Sequence, residues 1–119
     1  MTFAIADLSR LIDPYRSKAE AQWTRISYLY IEDWFKCQVV RELYEPISLK
    51  LPGGNYTPDF MVILSDGRVV FVEVKGSTRQ KNYRDARSKL RAAAEVYPFF
   101  IFMQATGRLE AWELEEIKP

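Results

Sequence analysis

The stretch NYTPDFMVILSDGRVVFVEVKGS, residues 55–77, determines the fold because it has the form of a β-hairpin. Two apolar runs, 56–64 and 68–75, flank Ser65-Asp66-Gly67, a sequence typical of a tight turn between antiparallel strands. A two-residue turn at Asp66-Gly67 and a three-residue turn that includes Ser65 are the two alternatives. We predict the three-residue turn, because glycine then stands where the backbone needs a positive φ.

The choice of turn decides which side chains of the hairpin lie together. Successive side chains of a strand point to opposite faces, so Glu73 and Lys75 share one face. The two-residue turn would pair Asp59 with Val74 and direct the carboxylate to the other face, whereas the three-residue turn pairs Asp59 with Glu73. A β-bulge near Pro58 would have the same effect as the three-residue turn. The sequence therefore predicts that two carboxylates and an amine converge in an otherwise apolar hairpin.

Patterns on either side of the hairpin predict further helices and strands. Ser17 and Glu20 have the spacing of a capping box, and apolar residues at helical intervals follow them. Residues 35–43 favour neither helix nor strand, and residues 1–14 form either a short helix or an arm that packs on a partner. The predicted elements are a helix over 17–34, a strand over 47–51, the hairpin, a helix over 82–97, and strands over 99–103 and 109–114 joined by Thr106-Gly107.

This order of elements predicts an α/β protein in which a mixed sheet is flanked by helices. A chain of 119 residues that is 48% hydrophobic suits a single domain, and we assign residues 1–119 to one. No apolar run approaches the roughly 20 residues that span a bilayer. With the single Cys37 and no signal-peptide pattern, the expected compartment is the cytoplasm.

The chain contains no histidine and one cysteine, and this excludes several kinds of chemistry. Zinc sites and nucleophile systems that depend on histidine are ruled out. The carboxylates of Asp59 and Glu73 would repel one another when buried, and Mg²⁺ or Mn²⁺ held between them would remove that repulsion. Such an ion activates water and stabilises a leaving oxygen, while Lys75 can orient the water and balance charge on phosphorus. The pattern is thus typical of phosphodiester hydrolysis.

These residues also carry a family resemblance. TPDF followed by VEVKG resembles the P-D…(D/E)-x-K signature of the restriction-endonuclease-like nucleases. RSKAE at 16–20, the following helix, YTPDF, VEVKG and a basic helix together resemble the phage-type endonuclease I group of Holliday-junction resolvases. The resemblance covers roughly residues 15–104. It implies an αβββαβ core and a Mg²⁺-dependent endodeoxyribonuclease that acts on branched or duplex DNA, expected in a bacterial or phage-infected cell.

The resemblance also assigns roles to individual residues. It adds Glu20 and the backbone carbonyl of Val74 to Asp59 and Glu73 as metal ligands, with Lys75 as the catalytic lysine. Cutting two strands needs two sites, so a homodimer is expected. Residues 75–91 are strongly basic although the whole chain carries a net charge of +1. The candidate DNA contacts are Ser77, Arg79, Lys81, Arg84, Arg87, Arg91 and Gln104.

Each of these assignments has a simpler alternative. Glu20 could serve only as the capping-box partner of Ser17. Glu73 and Lys75 could form an ion pair on a solvated sheet. The whole chain could be a non-catalytic DNA-binding module, or a subunit of a recombination or packaging complex with the same fold. Retention of all three charged residues in the hairpin favours the nuclease, since buried charges without a function only reduce stability.

Overall fold

The structure, a computed structural model, describes residues 14–119. The expectation of a short helix or an arm over residues 1–14 falls, except for Pro14, outside this range. Three helices and seven strands are described within it. In chain order they are α1 (Lys18–Thr24), α2 (Ser27–Phe35), β1 (Val39–Tyr44), β2 (Leu49–Leu51), β3 (Gly54–Tyr56), β4 (Phe60–Leu64), β5 (Val69–Lys75), α3 (Tyr83–Val96), β6 (Ile101–Arg108) and β7 (Ala111–Glu116).

Five of the strands form one sheet in the order β1-β4-β5-β6-β7. The pair β5 and β6 is parallel, because α3 carries the chain back across the sheet between them, and the other pairs are antiparallel. The sheet is therefore mixed and is flanked by helices, as predicted. Strands β2 and β3 form a separate two-stranded sheet. Within residues 14–119 no helix has the length and apolar character needed to cross a membrane.

The central hairpin has the predicted register. Phe60 pairs with Val72 and Ile63 with Val69, and the Leu64 N–H donates to the Arg68 carbonyl at 3.0 Å. The loop therefore has three residues, and Gly67 at its end has φ of 91°. This conformation is open to glycine at little steric cost. The prediction from the glycine position is confirmed.

The two faces of the main sheet carry two separate cores. Val70, Val72 and Val74 of β5 pack with Trp23 and Ile31 beneath α1 and α2. Phe71 packs on the opposite face against α3 and the small β2-β3 sheet. Because side chains alternate along β5, Glu73 and Lys75 belong to the α3 face.

The single helix predicted over 17–34 is in fact two helices. The Ser17 cap is present, and its hydroxyl accepts from the Glu20 N–H at 3.1 Å. The Thr24 hydroxyl donates to the Ala21 carbonyl at 2.8 Å, and the Ile26 N–H bonds to the Trp23 carbonyl three residues back. Such competing bonds tighten and end a helix. The break lets both segments bury an apolar side chain against the sheet, Trp23 from α1 and Ile31 from α2, which periodicity alone did not reveal.

The last hairpin also differs from its prediction. Strand β6 extends to Arg108, and the turn lies at Leu109-Glu110, with Leu109 at φ of 55°. Gly107 lies inside β6, paired with Trp112, and not in a turn. The reason is a close approach of two strands: a Cβ on Gly107 would lie 2.8 Å from the Trp112 Cα. Glycine is needed here because it has no side chain. From the sequence alone, such a glycine looks the same as one that is needed for a turn.

A carboxyl group on β1 makes the stability of the fold depend on pH. Burial raises the pKa of Glu42 to about 7, and a hydrogen bond from the Ser27 hydroxyl at 2.9 Å only partly offsets this. The folded state thus holds a proton that the unfolded chain releases near pH 4.5. The contribution of Glu42 to the free energy of unfolding is therefore fully present below pH 4.5. It is lost as the pH rises to about 7, because only the unfolded chain ionises this carboxyl group easily.

We therefore expect Glu42→Gln to be more stable than the wild type at pH 8, by about 1–3 kcal/mol. The difference should be small at pH 4.5 and should grow through the titration of Glu42. Urea unfolding over this pH range measures it. Glu95→Gln, which alters an exposed carboxylate on α3, is the matched control and should follow the wild-type curve. A constant difference between Glu42→Gln and the wild type at all pH values would contradict the assignment.

Candidate functional site

The structure brings the predicted acidic residues together at one end of the main sheet. Asp59 immediately precedes β4, and continuing the hairpin register by one position sets it opposite Glu73. The Val74 N–H donates to Asp59 Oδ2 at 2.8 Å, and the Glu45 N–H donates to the Asp59 carbonyl at 2.8 Å. Asp59 is therefore fixed between β1 and β5 through both its side chain and its backbone.

Glu73 is held from two sides. The Tyr56 hydroxyl donates to Oε1 at 2.6 Å, and Lys75 Nζ lies 3.6 Å from Oε2. The Glu73 and Lys75 side chains are only 10% and 12% exposed, so this is not an ion pair on a solvated sheet. Sequence reasoning gave Tyr56 no role here. Its only signal is its place just before the Pro58-Asp59 pair, which was too weak to suggest a contact with Glu73.

Glu20 is the capping-box partner of Ser17, and its carboxyl also lies near Asp59. Its Oε1 accepts from the Ser17 N–H at 3.1 Å, which completes the capping box, and from the Tyr44 hydroxyl at 3.0 Å. The same side chain is 6% exposed and lies close enough to Asp59 to affect its ionisation. The cap fixes the Glu20 carboxyl beside the two acids of the hairpin.

Burial and the repulsion of neighbouring charges make the Asp59 and Glu73 carboxyl groups hard to ionise. Burial raises the pKa of Asp59 to about 8, and the charges of Glu73 and Glu20 also raise it. The hydrogen bond from the Val74 N–H acts in the opposite direction. Burial likewise raises the pKa of Glu73, although the Tyr56 hydroxyl and Lys75 oppose the shift. The Tyr56 hydroxyl has a pKa well above its ordinary value, because it is buried beside Glu73. The phenol is therefore a hydrogen-bond donor and not a base.

The donor set suits a hard divalent cation. Three carboxylates face one lysine, so the cluster carries surplus negative charge when ionised, and all its ligand atoms are oxygens. In residues 14–119, however, no three of these groups are placed to hold an ion as they stand. One oxygen of Asp59, one of Glu20 and both of Glu73 face the N–H, hydroxyl and ammonium donors described above. The residues fit the ion in the chemistry of their donor atoms.

A cavity of about 360 Å³ opens beside Glu73 and Lys75, which are the members of the cluster that line it. We call it the site cavity. It lies between the β2-β3 sheet, which contributes Asn55 and Tyr56, and the first turns of α3, which contribute Asp85 and Lys89. Arg16 also lines it. Neither Arg16 nor Lys89 was among the predicted DNA contacts, because nothing in a single sequence shows that they share a cavity with Glu73 and Lys75.

The predicted DNA contacts fall into three groups. Ser77, Arg79 and Lys81 are exposed in the loop after β5, and Arg84 and Arg91 are exposed on α3. Arg87 is bound by Glu115 in two hydrogen bonds of 2.9 and 3.0 Å and also donates to Gln104 at 3.0 Å. Gln104 is only 2% exposed and lies beneath α3. None of the arginines at 84, 87 and 91 lines the site cavity.

Comparison of the chain with family models, curated proteins and solved structures gave no match. The class of the site is therefore inferred from its own geometry. Its defining features are three buried carboxylates, a lysine 3.6 Å from one of them, and a polar cavity bordered by further cations. This combination suits an anionic substrate that is activated by a hard metal ion.

Proposed function

We propose that this protein is a metal-dependent DNA endonuclease of the PD-(D/E)XK, restriction-endonuclease-like class, with the αβββαβ core of that class. The observation that carries the proposal is the convergence of Glu20, Asp59, Glu73 and Lys75 at one buried end of the sheet. A structural role alone does not account for this arrangement, since burying three acids beside one amine costs stability. Use in binding a cation and a phosphate does account for it.

Each residue has a definite part in the proposed reaction. Asp59, Glu73, Glu20 and the carbonyl of Val74 would hold Mg²⁺ or Mn²⁺. The bound ion supplies Lewis acidity toward the phosphate and neutralises the carboxylates. Lys75 lines the site cavity, where its ammonium group can orient an attacking water and stabilise charge that develops on the phosphate oxygens. The Tyr56 hydroxyl fixes the Glu73 carboxylate during these steps.

The proposed substrate is DNA, with a preference for branched or junction structures over a particular sequence. Phosphates on either side of the cut would be bound by Lys89 and Arg16 at the site cavity and by the exposed cations of the loop after β5. A homodimer would supply the second site needed to cut both strands. The proposed location is the cytoplasm of a bacterial or phage-infected cell.

The experiment that tests the proposal is cleavage of labelled four-way-junction, duplex and single-stranded DNA in the presence of Mg²⁺, Mn²⁺ or EDTA. We expect cutting with either metal ion, none with EDTA, and the highest rate on the junction. Cutting that persists in EDTA would contradict a metal-dependent mechanism. Equal rates on all three substrates would contradict the preference for branched DNA.

A second candidate is the non-catalytic DNA-binding module. One observation favours it: the carboxylate oxygens of Asp59, Glu73 and Glu20 already accept hydrogen bonds, as in a finished structural cluster. The same assay separates the two candidates. Tight binding of junction DNA without cutting under any metal condition would support the module and reject the nuclease.

The exposed arginines of α3 give a prediction about binding. Replacing both Arg84 and Arg91 by alanine is expected to weaken DNA binding. If each contacts one phosphate, the slope of log affinity against log salt concentration should become shallower by about two. Arg87 is left intact because its loss would leave Glu115 without its ion-pair partner. Fluorescence anisotropy at several salt concentrations measures the slope.

The matched control removes two positive charges away from α3, by Arg25→Ala with Arg41→Ala. Arg25 follows α1 and Arg41 lies on β1, and both are exposed. This variant should retain the wild-type slope. Equal losses of slope in the two double variants would show a general charge effect and would remove α3 from the proposed interface.

A further inference from the structure

A second cavity, of about 290 Å³, lies beside the site cavity on the same face of the sheet. We call it the side cavity. The strand register places it next to the proposed site, because Gln104 on β6 pairs with Glu73 and Thr106 pairs with Lys75. Neighbouring strands are separated by about 4.8 Å. Its lining includes Thr78, Tyr83, Gln104, Thr106, Glu113 and Glu115.

Gln104, which lines the side cavity, carries a buried donor that lacks a partner. Arg87 donates to Gln104 Oε1 at 3.0 Å, which leaves Nε2 as the free end of the amide. Gln104 is 2% exposed, and its Nε2 makes no hydrogen bond to any residue in the described range 14–119. A buried donor without a partner destabilises the folded state, because it has lost its hydrogen bonds to water. An acceptor atom that enters the cavity would recover this cost.

The charges around the side cavity disfavour a phosphate in it. Glu115 is neutralised by Arg87, whereas Glu113 has no ion-pair partner among the residues that the structure describes. No lysine or arginine of the described chain lines the cavity. The lining offers the Gln104 donor, the Glu113 acceptor, two threonine hydroxyls and the Tyr83 ring. These groups suit a neutral, planar molecule that has both donors and acceptors.

We propose that the side cavity binds an unpaired nucleobase of the DNA strand whose phosphate lies in the site cavity. This inference rests on the proposed function. Gln104 Nε2 donates to a carbonyl oxygen or ring nitrogen of the base, Glu113 accepts from an N–H of the base, and the Tyr83 ring packs against the base face. A stacked and paired base cannot reach this position. The substrate class is therefore DNA with an unpaired or extruded nucleotide next to the cut.

The first test uses nucleosides and does not require cleavage. Isotope-labelled protein in EDTA is titrated with each of the four deoxynucleosides and, separately, with inorganic phosphate, and the Gln104 side-chain amide is followed by NMR. We expect at least one nucleoside to shift this resonance and phosphate to leave it unchanged. If no nucleoside shifts it, or if phosphate shifts it equally, the proposal is overturned.

The second test uses DNA. The inactive Asp59→Asn protein is bound in EDTA to four-way junctions that carry an abasic residue at successive positions around the branch. One position is expected to lower the affinity about tenfold, which corresponds to the loss of one base contact. Adding Gln104→Leu should remove the sensitivity to that position. Gln38→Leu, which makes the same exchange at an exposed residue, should retain it.

The outcomes separate the two proposals. Tight junction binding with the same affinity at every abasic position overturns the nucleobase site and leaves the endonuclease intact. Absence of junction binding and of cleavage overturns both, since the second rests on the first. If thermal melting shows that Gln104→Leu does not fold, Gln104→Glu keeps the acceptor for Arg87, removes the amide donor and is expected to give the same result.

Discussion

Replacing Asp59 by asparagine is expected to lower the rate of DNA cleavage by at least about a thousandfold, with little change in DNA affinity. Asparagine can still accept the Val74 N–H, so the hairpin register is kept. What is lost is the negative charge on which a bound cation depends. Cleavage of junction DNA with Mg²⁺ measures the first effect, and anisotropy in EDTA measures the second.

The same substitution should also stabilise the protein in metal-free buffer, by about 1–3 kcal/mol near neutral pH. Burial and the charge of Glu73 raise the pKa of Asp59 to about 8 in the folded protein. In the unfolded chain the same carboxyl group ionises at low pH, so ionisation of Asp59 favours unfolding. The gain should therefore increase as the pH rises toward 8. Loss of activity with a gain in stability is a combination that a purely structural role for Asp59 would not produce.

Asp33→Asn is the matched control, because the Asp33 side chain is 83% exposed on α2. It should cut DNA at the wild-type rate and melt at nearly the wild-type temperature. Two results would contradict the proposed role of Asp59. One is wild-type cleavage by Asp59→Asn, and the other is a fall in DNA affinity large enough to explain the lost activity.

Gly107→Ala is expected to destabilise the protein by about 3 kcal/mol or more, the largest effect on stability that we predict. The added methyl group would overlap the Ala111 carbonyl oxygen and lie 2.8 Å from the Trp112 Cα. Both are backbone atoms of β7, so the clash can be relieved only by separating β7 from β6. Urea unfolding at neutral pH measures the loss.

Gly53→Ala provides the control for the change from glycine to alanine. A Cβ at Gly53 meets no atom within 4 Å, so its stability should stay within about 0.5 kcal/mol of the wild type. Similar stabilities for the two variants would contradict the close approach of β6 and β7. Because Gly107 lies near the end of β6 and is not one of the proposed DNA contacts, folded Gly107→Ala protein should still bind DNA.

The hairpin could be predicted because its determinants are local. Gly67 fixes the turn, the turn fixes the register, and the register brings Asp59 to Glu73. The capping box was likewise readable from Ser17 and Glu20 alone. In each case the residues that decide the geometry lie within a few positions of one another or on paired strands of one hairpin.

The features that were missed depend on residues far apart in the chain. The Arg87-Glu115 ion pair joins α3 to β7 and involves a residue that was predicted to contact DNA. The Tyr56-Glu73 contact joins the small sheet to the main one. The constraint on Gly107 depends on how closely β7 packs. Nothing in the local pattern of one sequence specifies these distances.

The double attachment of Asp59, through its carboxylate to β5 and through its carbonyl to the end of β1, also has a consequence for how the protein folds. Asp59, Glu73 and Lys75 come from one hairpin with a short loop, and closing such a loop costs little chain entropy. Glu20 belongs to α1, so its contact with Asp59 joins residues that are much farther apart in the sequence. The acidic cluster is therefore expected to assemble in two stages. The hairpin forms first and pairs Asp59 with Glu73, and α1 packs against it afterwards and adds Glu20.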